Sequence, residues 1–213
     1  MPDANDLERL FTRSDGSFVF ARWGRAIAPV AFGVEEATLP AIKGAVEAVG
    51  HLTGHPVAET DPELGSNLMF FFVRDWDELG EVPGLDRLIP DLASLVGRLK
   101  DADANQYRVF RFDAAPDGGP GAIKAAFVLL RMDEHLSQAP AGALALGQAV
   151  QVALLWSDTA FAEAPPLVAG PGGAMLRPDV ANVLRAAYDP VLPQSGRDPS
   201  LALRLAARMG RPQ

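Results

Sequence analysis

Six consecutive apolar residues, Leu68-Met-Phe-Phe-Phe-Val73, constrain this chain most. The run is far too short to span a membrane as a helix, and it lacks the alternation of a strand with one wet face. It reads as a central strand buried on both faces. The other elements are placed around it. Residues 4–12 read as a short helix. Residues 26–32 read as a strand, which Pro29 confines to an edge or a bulge because proline cannot donate to a ladder. Thr38 is placed to cap a helix with Pro40 in its first turn. Leu39, Ile42, Val46, Val49 and Leu52 recur at helical spacing, and Gly54 stops that helix.

Pro90 opens a further helix whose Leu92, Leu95, Val96 and Leu99 form one stripe. Residues 106–112 and 122–131 read as two strands. The turn chemistry of Asp117-Gly-Gly-Pro-Gly121 joins them as a hairpin. Beyond residue 132 the pattern becomes helical. Residues 141–156 form one long Ala-, Leu- and Val-rich helix, and 164–174, with its Pro-Pro and Gly-Pro-Gly-Gly, reads as a loop. Pro178 opens the next helix, and Asp198-Pro199 caps a last one running to about residue 208. A sheet-containing part (1–132) followed by a helical part (133–213) predicts a single α+β domain over 1–213, with a mixed sheet of about four strands.

Two segments carry a resemblance. The first is Gln148-Ala-Val-Gln151-Val-Ala-Leu-Leu-Trp-Ser-Asp158, with Thr159-Ala-Phe161 after it. The second is Leu176-Arg-Pro-Asp179-Val-Ala-Asn-Val-Leu184-Arg-Ala-Ala-Tyr188-Asp189-Pro190-Val-Leu192. Together they resemble the C-terminal half of a bacterial family of unknown function, number 2927. Its members read E-E-x-x-Q-x-L-G-x-x-N-D, then S-x-F, then L-x-x-D-x-x-x-L-x-x-x-Y-D-P-x-L. Arg22-Trp23-Gly-Arg-Ala-Ile27-Ala-Pro-Val30 fits the same family loosely. That family looks like a degenerate relative of the zincin metallopeptidases, with no enzymatic activity firmly attached to it. The resemblance implies a zincin-like domain: a sheet with an early helix, then a site helix, then a helical C-terminal part. Gln151 matches the family glutamine, Asp158 its N-D aspartate, and Tyr188-Asp189-Pro190 its Y-D-P. Gly147 and Gln148 depart from the paired glutamates, and Ser157 from the asparagine.

The chemistry of the 141–156 helix argues against metal hydrolysis. A zinc helix needs two histidines one turn apart and a carboxylate beside the first, as in H-E-x-x-H. Gly147, Gln148 and Gln151 occupy those places here. An amide does not titrate usefully, glycine offers no ligand, and glutamine is a poor one. The bland reading is a buried helix holding two amides by hydrogen bonds. The functional reading is a relict cleft in which Gln148, Gln151, Asp158 and Tyr188 hold a protein or peptide.

The remaining candidates are weaker. His51 and His55 are four apart, but Gly54 and Pro56 bracket His55, so the two rings leave a common helical face. His135 follows Asp133 and Glu134 near a helix start. A metal-dependent hydrolase with atypical ligands would draw on His51, His55 or His135 plus aspartates, with at least two histidines brought together, whereas a three-histidine zinc site would need all of them to converge. Among the carboxylates, Asp75-Trp76-Asp77-Glu78 reads as the end of the buried strand and the start of a helix with an aspartate as N-cap, Asp189 before Pro190 as an Asx turn that stops a helix, and Asp158 as the end of the site helix or an acceptor of backbone amides in the following turn. Asp77, Asp101, Asp103, Asp113 and Asp179 offer no pairing that spacing alone would choose. Tyr188 is expected to pack over Trp156. The Asp117–Lys124 stretch lacks G-K-[ST] and leads into a strand, so it is no phosphate loop. No serine sits in G-x-S-x-G.

Composition closes other routes. A net charge of −8 without a Lys/Arg cluster disfavours nucleic acid and anionic membrane. The densest basic group, Arg204, Arg208 and Arg211, falls at a helix end, where the macrodipole favours cations. The absence of cysteine excludes disulfides and thiolate chemistry. The acidic first residues do not read as a signal peptide, so a soluble, cytoplasmic protein is expected, or a periplasmic one if a leader was removed. The expectation is a catalytically inactive zincin-like domain without cofactor that binds a protein or peptide. The alternatives are the atypical hydrolase and an accessory subunit of a larger complex.

Overall fold

The computed structural model describes residues 2–115 and 118–209. Asp117 of the hairpin turn and Arg211 of the basic group lie outside the described residues. In chain order the elements begin with α1 (Ala4–Phe11), β1 (Phe20–Ala21), β2 (Pro29–Phe32) and α2 (Leu39–Thr53), followed by β3 (Leu68–Val73). Then come a 3-10 turn (Trp76–Glu81), α3 (Leu85–Leu88), α4 (Leu92–Asp101), β4 (Gln106–Ala114) and β5 (Pro120–Arg131). The C-terminal part holds α5 (Glu134–Gln138), α6 (Ala141–Ala153), β6 (Leu167–Gly170), β7 (Gly173–Leu176), α7 (Pro178–Ala187), β8 (Ser195–Gly196) and α8 (Ser200–Met209).

The main sheet has the order β2-β3-β5-β4. β2, β3 and β5 run parallel, and β4 returns antiparallel on β5 as an edge. The mixed four-strand sheet and the α+β class agree with the reading of the sequence. The apolar run of β3 occupies an interior position, as its lack of a polar face requires. Side-chain alternation splits it between two cores. Leu68 and Phe70 join Ala126, Val128 and Leu130 of β5 under α1, α2, α6, α7 and α8. Met69, Phe71 and Val73 join Ala125, Phe127 and Leu129 under the Trp76–Glu81 turn, α3 and α4. A sheet buried on both faces is what a six-residue apolar run can support.

Local chemistry sets most boundaries. Asp75 caps the turn after β3, accepting from Asp77 N at 2.8 Å, while Glu78 reaches back to Asp75 N at 2.9 Å. α2 ends at Gly54 in the left-handed region, φ +68°. Ser200 N donates to Asp198 Oδ1 at 2.9 Å at the head of α8, and Val191 N donates to Asp189 Oδ1 at 2.8 Å in the Asx turn after α7. Thr38 departs from expectation. It stands before α2, but residues 36–38 already form a 3-10 turn, so its backbone is helical and its side chain makes no cap bond. Leu39, counted in the apolar stripe, is 39 % exposed. The stripe of α2 instead runs through Ile42, Ala45, Val46, Val49 and Gly50.

Two differences concern the helical part. Residues 164–174 are more than a loop, because β6 and β7 pair antiparallel within and beside that stretch, with Leu167 opposite Leu176. The Gly-Pro-Gly-Gly sequence makes the turn of a small hairpin. The helix expected over 141–156 stops at Ala153. Leu154 turns extended and bridges Arg22, Leu155 N donates to Ala21 O at 2.9 Å, and Ser157 N donates to Leu10 O at 2.8 Å. Backbone pairing with the N-terminal part therefore outcompetes the last helical turn. Among the described residues, no helix is long and apolar enough to cross a membrane.

Candidate functional site

α6 runs along the face of the sheet that carries the larger core, with Ala145, Ala149, Val150 and Val152 buried in it. Gln148 and Gln151 lie three residues apart and so near one another on its surface. They face the antiparallel edge strand β4, whose Gln106, Arg108, Phe110 and Phe112 share one side by strand alternation. Between β4, α6 and the chain at 155–162 lies a cleft of about 440 Å³. Its described lining includes Gln106, Arg108, Phe110, Gln151, Trp156, Asp158 and Phe161.

Gln148 is buried, 3 % exposed, directly beneath this cleft. Its Oε1 accepts from Arg108 Nη2 at 2.7 Å, and its Nε2 donates to Gln106 Oε1 at 3.0 Å. Arg108 Nη2 also donates to Gln106 Oε1 at 2.9 Å. A guanidinium can only donate, so both amides must turn their oxygens toward it. The triad fixes their orientation. Arg108 Nε is sealed from solvent and makes no hydrogen bond. Desolvation pulls the Arg108 pKa down to about 10, and no carboxylate counters it among the described residues.

The four residues singled out from the sequence do not all meet. Gln151 and Asp158 line the cleft together, and Gln148 lies beneath it. Gln151 is half-buried and makes no hydrogen bond to the protein among the described residues. Asp158 does not end a helix. It is exposed and accepts from Ser14, through the backbone N at 2.9 Å and through Oγ. Those two donors hold its carboxyl below the usual carboxylate range. Tyr188 is buried behind the C-terminal end of α6 and does not line the cleft. Its hydroxyl donates to Ala153 O at 2.6 Å, and its ring packs 5.1 Å from that of His55 and 5.4 Å from the Arg22 guanidinium. Its expected neighbour Trp156 stacks instead on Phe11 at 5.5 Å and meets Phe161 edge-on at 5.0 Å. That displacement follows from the early end of α6, which turns Trp156 toward α1.

The histidines are held separately. His51 Nδ1 lies 2.7 Å from Glu47 O of its own helix, and His135 is exposed on α5. His55 is half-buried, with Nε2 2.7 Å from Arg25 O. Burial, opposed by that bond and aided by the Arg22 charge, depresses its pKa. Among the described residues, no group of three His, Asp or Glu side chains comes together as a metal-holding set. Asp179 pairs with Arg177, Asp103 with Arg131 at 2.7 Å, and Asp77 with Lys100 at 2.5 Å. Arg204 Nη2 donates to Val191 O at 3.2 Å and Arg208 pairs with Asp189 at 3.4 Å, so both tie α8 to the turn after α7.

Arg108 and Gln106 were not singled out from the sequence. One signal was available: on the β4 face shared with Phe110 and Phe112, an arginine and a glutamine break an apolar row. Comparison of the chain with protein-family models, with curated proteins and with solved structures finds no match.

Proposed function

We propose that this chain is a catalytically inactive zincin-like domain that acts as a protein- or peptide-binding or assembly module. The observation that carries the reading is the cleft between α6 and the β4 edge. Its described polar lining is amides, the guanidinium groups of Arg108 and Arg13 and the hydroxyls of Tyr107 and Ser157, and the carboxylate among these residues, Asp158, is engaged by Ser14. Amides and a guanidinium orient peptide groups by hydrogen bonds, but they neither polarise water nor accept its proton at neutral pH. β4 pairs only with β5 among the described residues, which leaves one side of its backbone open for an added strand. The element order supports the zincin-like part of the reading: an early helix, α2, packs against the later α6, with further helices after it.

In this reading an extended segment lies along β4, with its side chains directed alternately into the cleft and away from it. Gln151 supplies an amide to the bound backbone, and Trp156 and Phe161 wall an apolar position. The test is a titration of isotope-labelled protein with a degenerate pool of capped decapeptides, followed by backbone amide resonances. Shifts concentrated in 106–112 and 151–162 are expected, with every peptide recovered intact after incubation with added zinc. Stoichiometric zinc in the purified protein together with peptide cleavage would overturn the inactive assignment. A spectrum unmoved at the cleft would overturn the binding assignment.

A further inference from the structure

We propose that the anchoring group of the cleft's ligand is a carboxylate of an acidic peptide, seated on Arg108. The proposal rests on the peptide-binding reading and adds the chemistry of what is bound. Most buried or half-buried arginines of this protein have a compensating charge. Arg25 pairs with Glu63 at 3.1 Å and Asp113 at 3.2 Å, Arg131 with Asp103, and Arg177 with Asp179. Arg22 lies in the field of Asp189 and over the Tyr188 ring. Among the described residues, the hydrogen-bond partners of Arg108 are two neutral amide oxygens, with no carboxylate. A desolvated cation without an anion is costly, and buried charges are ordinarily paired.

The donor geometry points outward. Both hydrogens of Nη2 are taken by Gln106 and Gln148. Nη1 makes no hydrogen bond among the described residues and, unlike Nε, is not sealed, so it is presented to the cleft that Arg108 lines. The Gln106 amide nitrogen and the Gln151 side chain likewise have no hydrogen-bond partner among the described residues. Three donor groups thus flank one pocket. The Gln106 oxygen and the guanidinium are pinned by Gln148 from below, so little ordering of those two groups is needed on binding. Arg13 and Asp158 also line the cleft and act on each other electrostatically, so Arg108 leaves a single net positive charge, which one carboxylate balances. A phosphate, near two negative charges at neutral pH, would leave an excess beside Asp158 on the rim. Trp156 and Phe161 alongside admit an apolar neighbour of the acidic residue.

The experiment compares two pools of capped decapeptides, degenerate except for a central Glu in one and a central Gln in the other, titrated into the labelled full chain. The Glu pool is expected to half-saturate the cleft resonances at a concentration about tenfold or more below that of the Gln pool. The Arg108 Nε–H resonance should move only with the Glu pool. Arg108→Gln should abolish the discrimination, so that the Glu and Gln pools half-saturate the cleft resonances at the same concentration. If that variant does not fold, the two pools and the Arg108 resonance in the wild type decide. Equal binding of both pools overturns this inference and leaves the binding-module reading standing, whereas no shift with either pool overturns both. Glutarate and inorganic phosphate serve as competitors. Displacement by glutarate at comparable concentration supports the carboxylate and assigns it to a small molecule. Failure of glutarate, with the Glu pool bound, assigns it to a peptide. Stronger displacement by phosphate than by glutarate overturns the carboxylate.

Discussion

Replacing Tyr188 with phenylalanine removes one oxygen and tests what holds the end of α6 beside the cleft. α6 stops without a glycine and without a basic residue in its last turn, so its final carbonyls have no ordinary cap. Aromatic donors from elsewhere fill the gap: Trp156 Nε1 donates to Val150 O at 3.0 Å, Trp23 Nε1 to Val152 O at 2.8 Å, and the Tyr188 hydroxyl to Ala153 O at 2.6 Å. Ala153 is 2 % exposed and Tyr188 8 %, so water does not readily replace the lost hydroxyl. Phenylalanine keeps the ring against His55 and over Arg22, leaving the unsatisfied Ala153 carbonyl as the main change. A buried acceptor stripped of its partner costs about 1–3 kcal/mol, and in a domain of this size each kcal/mol lowers the midpoint by about 2–4 °C, so a fall of roughly 2–12 °C is expected. Urea unfolding of both proteins at pH 7 gives the free energy directly, and an unchanged m-value places the loss in the native state. A difference under about 0.5 kcal/mol would refute the reasoning, because a surface substitution does as much.

Three further outcomes are expected. The depressed pKa of His55 makes the folded state bind fewer protons than the unfolded one, whose His titrates near 6.5; stability should therefore fall as pH drops below about 6.5 toward the folded pKa, and His55→Gln should flatten that dependence in urea titrations. Gln148→Glu supplies Arg108 with a carboxylate but sets an oxygen against Gln106 Oε1, to which Gln148 Nε2 now donates, so it is expected to weaken binding of the Glu decapeptide pool about tenfold with little net change in stability at pH 7; undiminished binding of that pool would show that Arg108 is not the anchor. Gly33 follows β2 at φ +77°, where an added Cβ would stand 2.0 Å from the Phe72 carbonyl oxygen, so Gly33→Ala should cost more than about 1 kcal/mol in calorimetry, and a neutral result would place that backbone elsewhere.

Elements whose signals are local were legible. β3 is announced by its unbroken apolar run, the β4–β5 hairpin by two strand-like runs about a glycine-rich turn, and the end of α2 by Gly54. The caps at Asp75 and Asp198 are likewise written within three residues of where they act. Signals that depend on distant partners were not legible. Asp158 accepts from Ser14, 144 positions away, and nothing near either residue announces it. The β6–β7 hairpin hides because Pro-Pro and Gly-Pro-Gly-Gly resemble a loop when the short strands between them have no apolar alternation.

By its own pattern the sequence determined the class of the domain, the interior place of Leu68–Val73 and the absence of zinc-ligand chemistry at 147–151, because side-chain type and period act over a few residues. Only the tertiary structure decided where α6 stops, that Tyr188 lies behind it and not in the cleft, and that Arg108 sits among amides without a counter-charge from the described residues. Each of these depends on which far-off segment reaches a given backbone group or charge first. That competition is settled by packing, on which local propensity is silent.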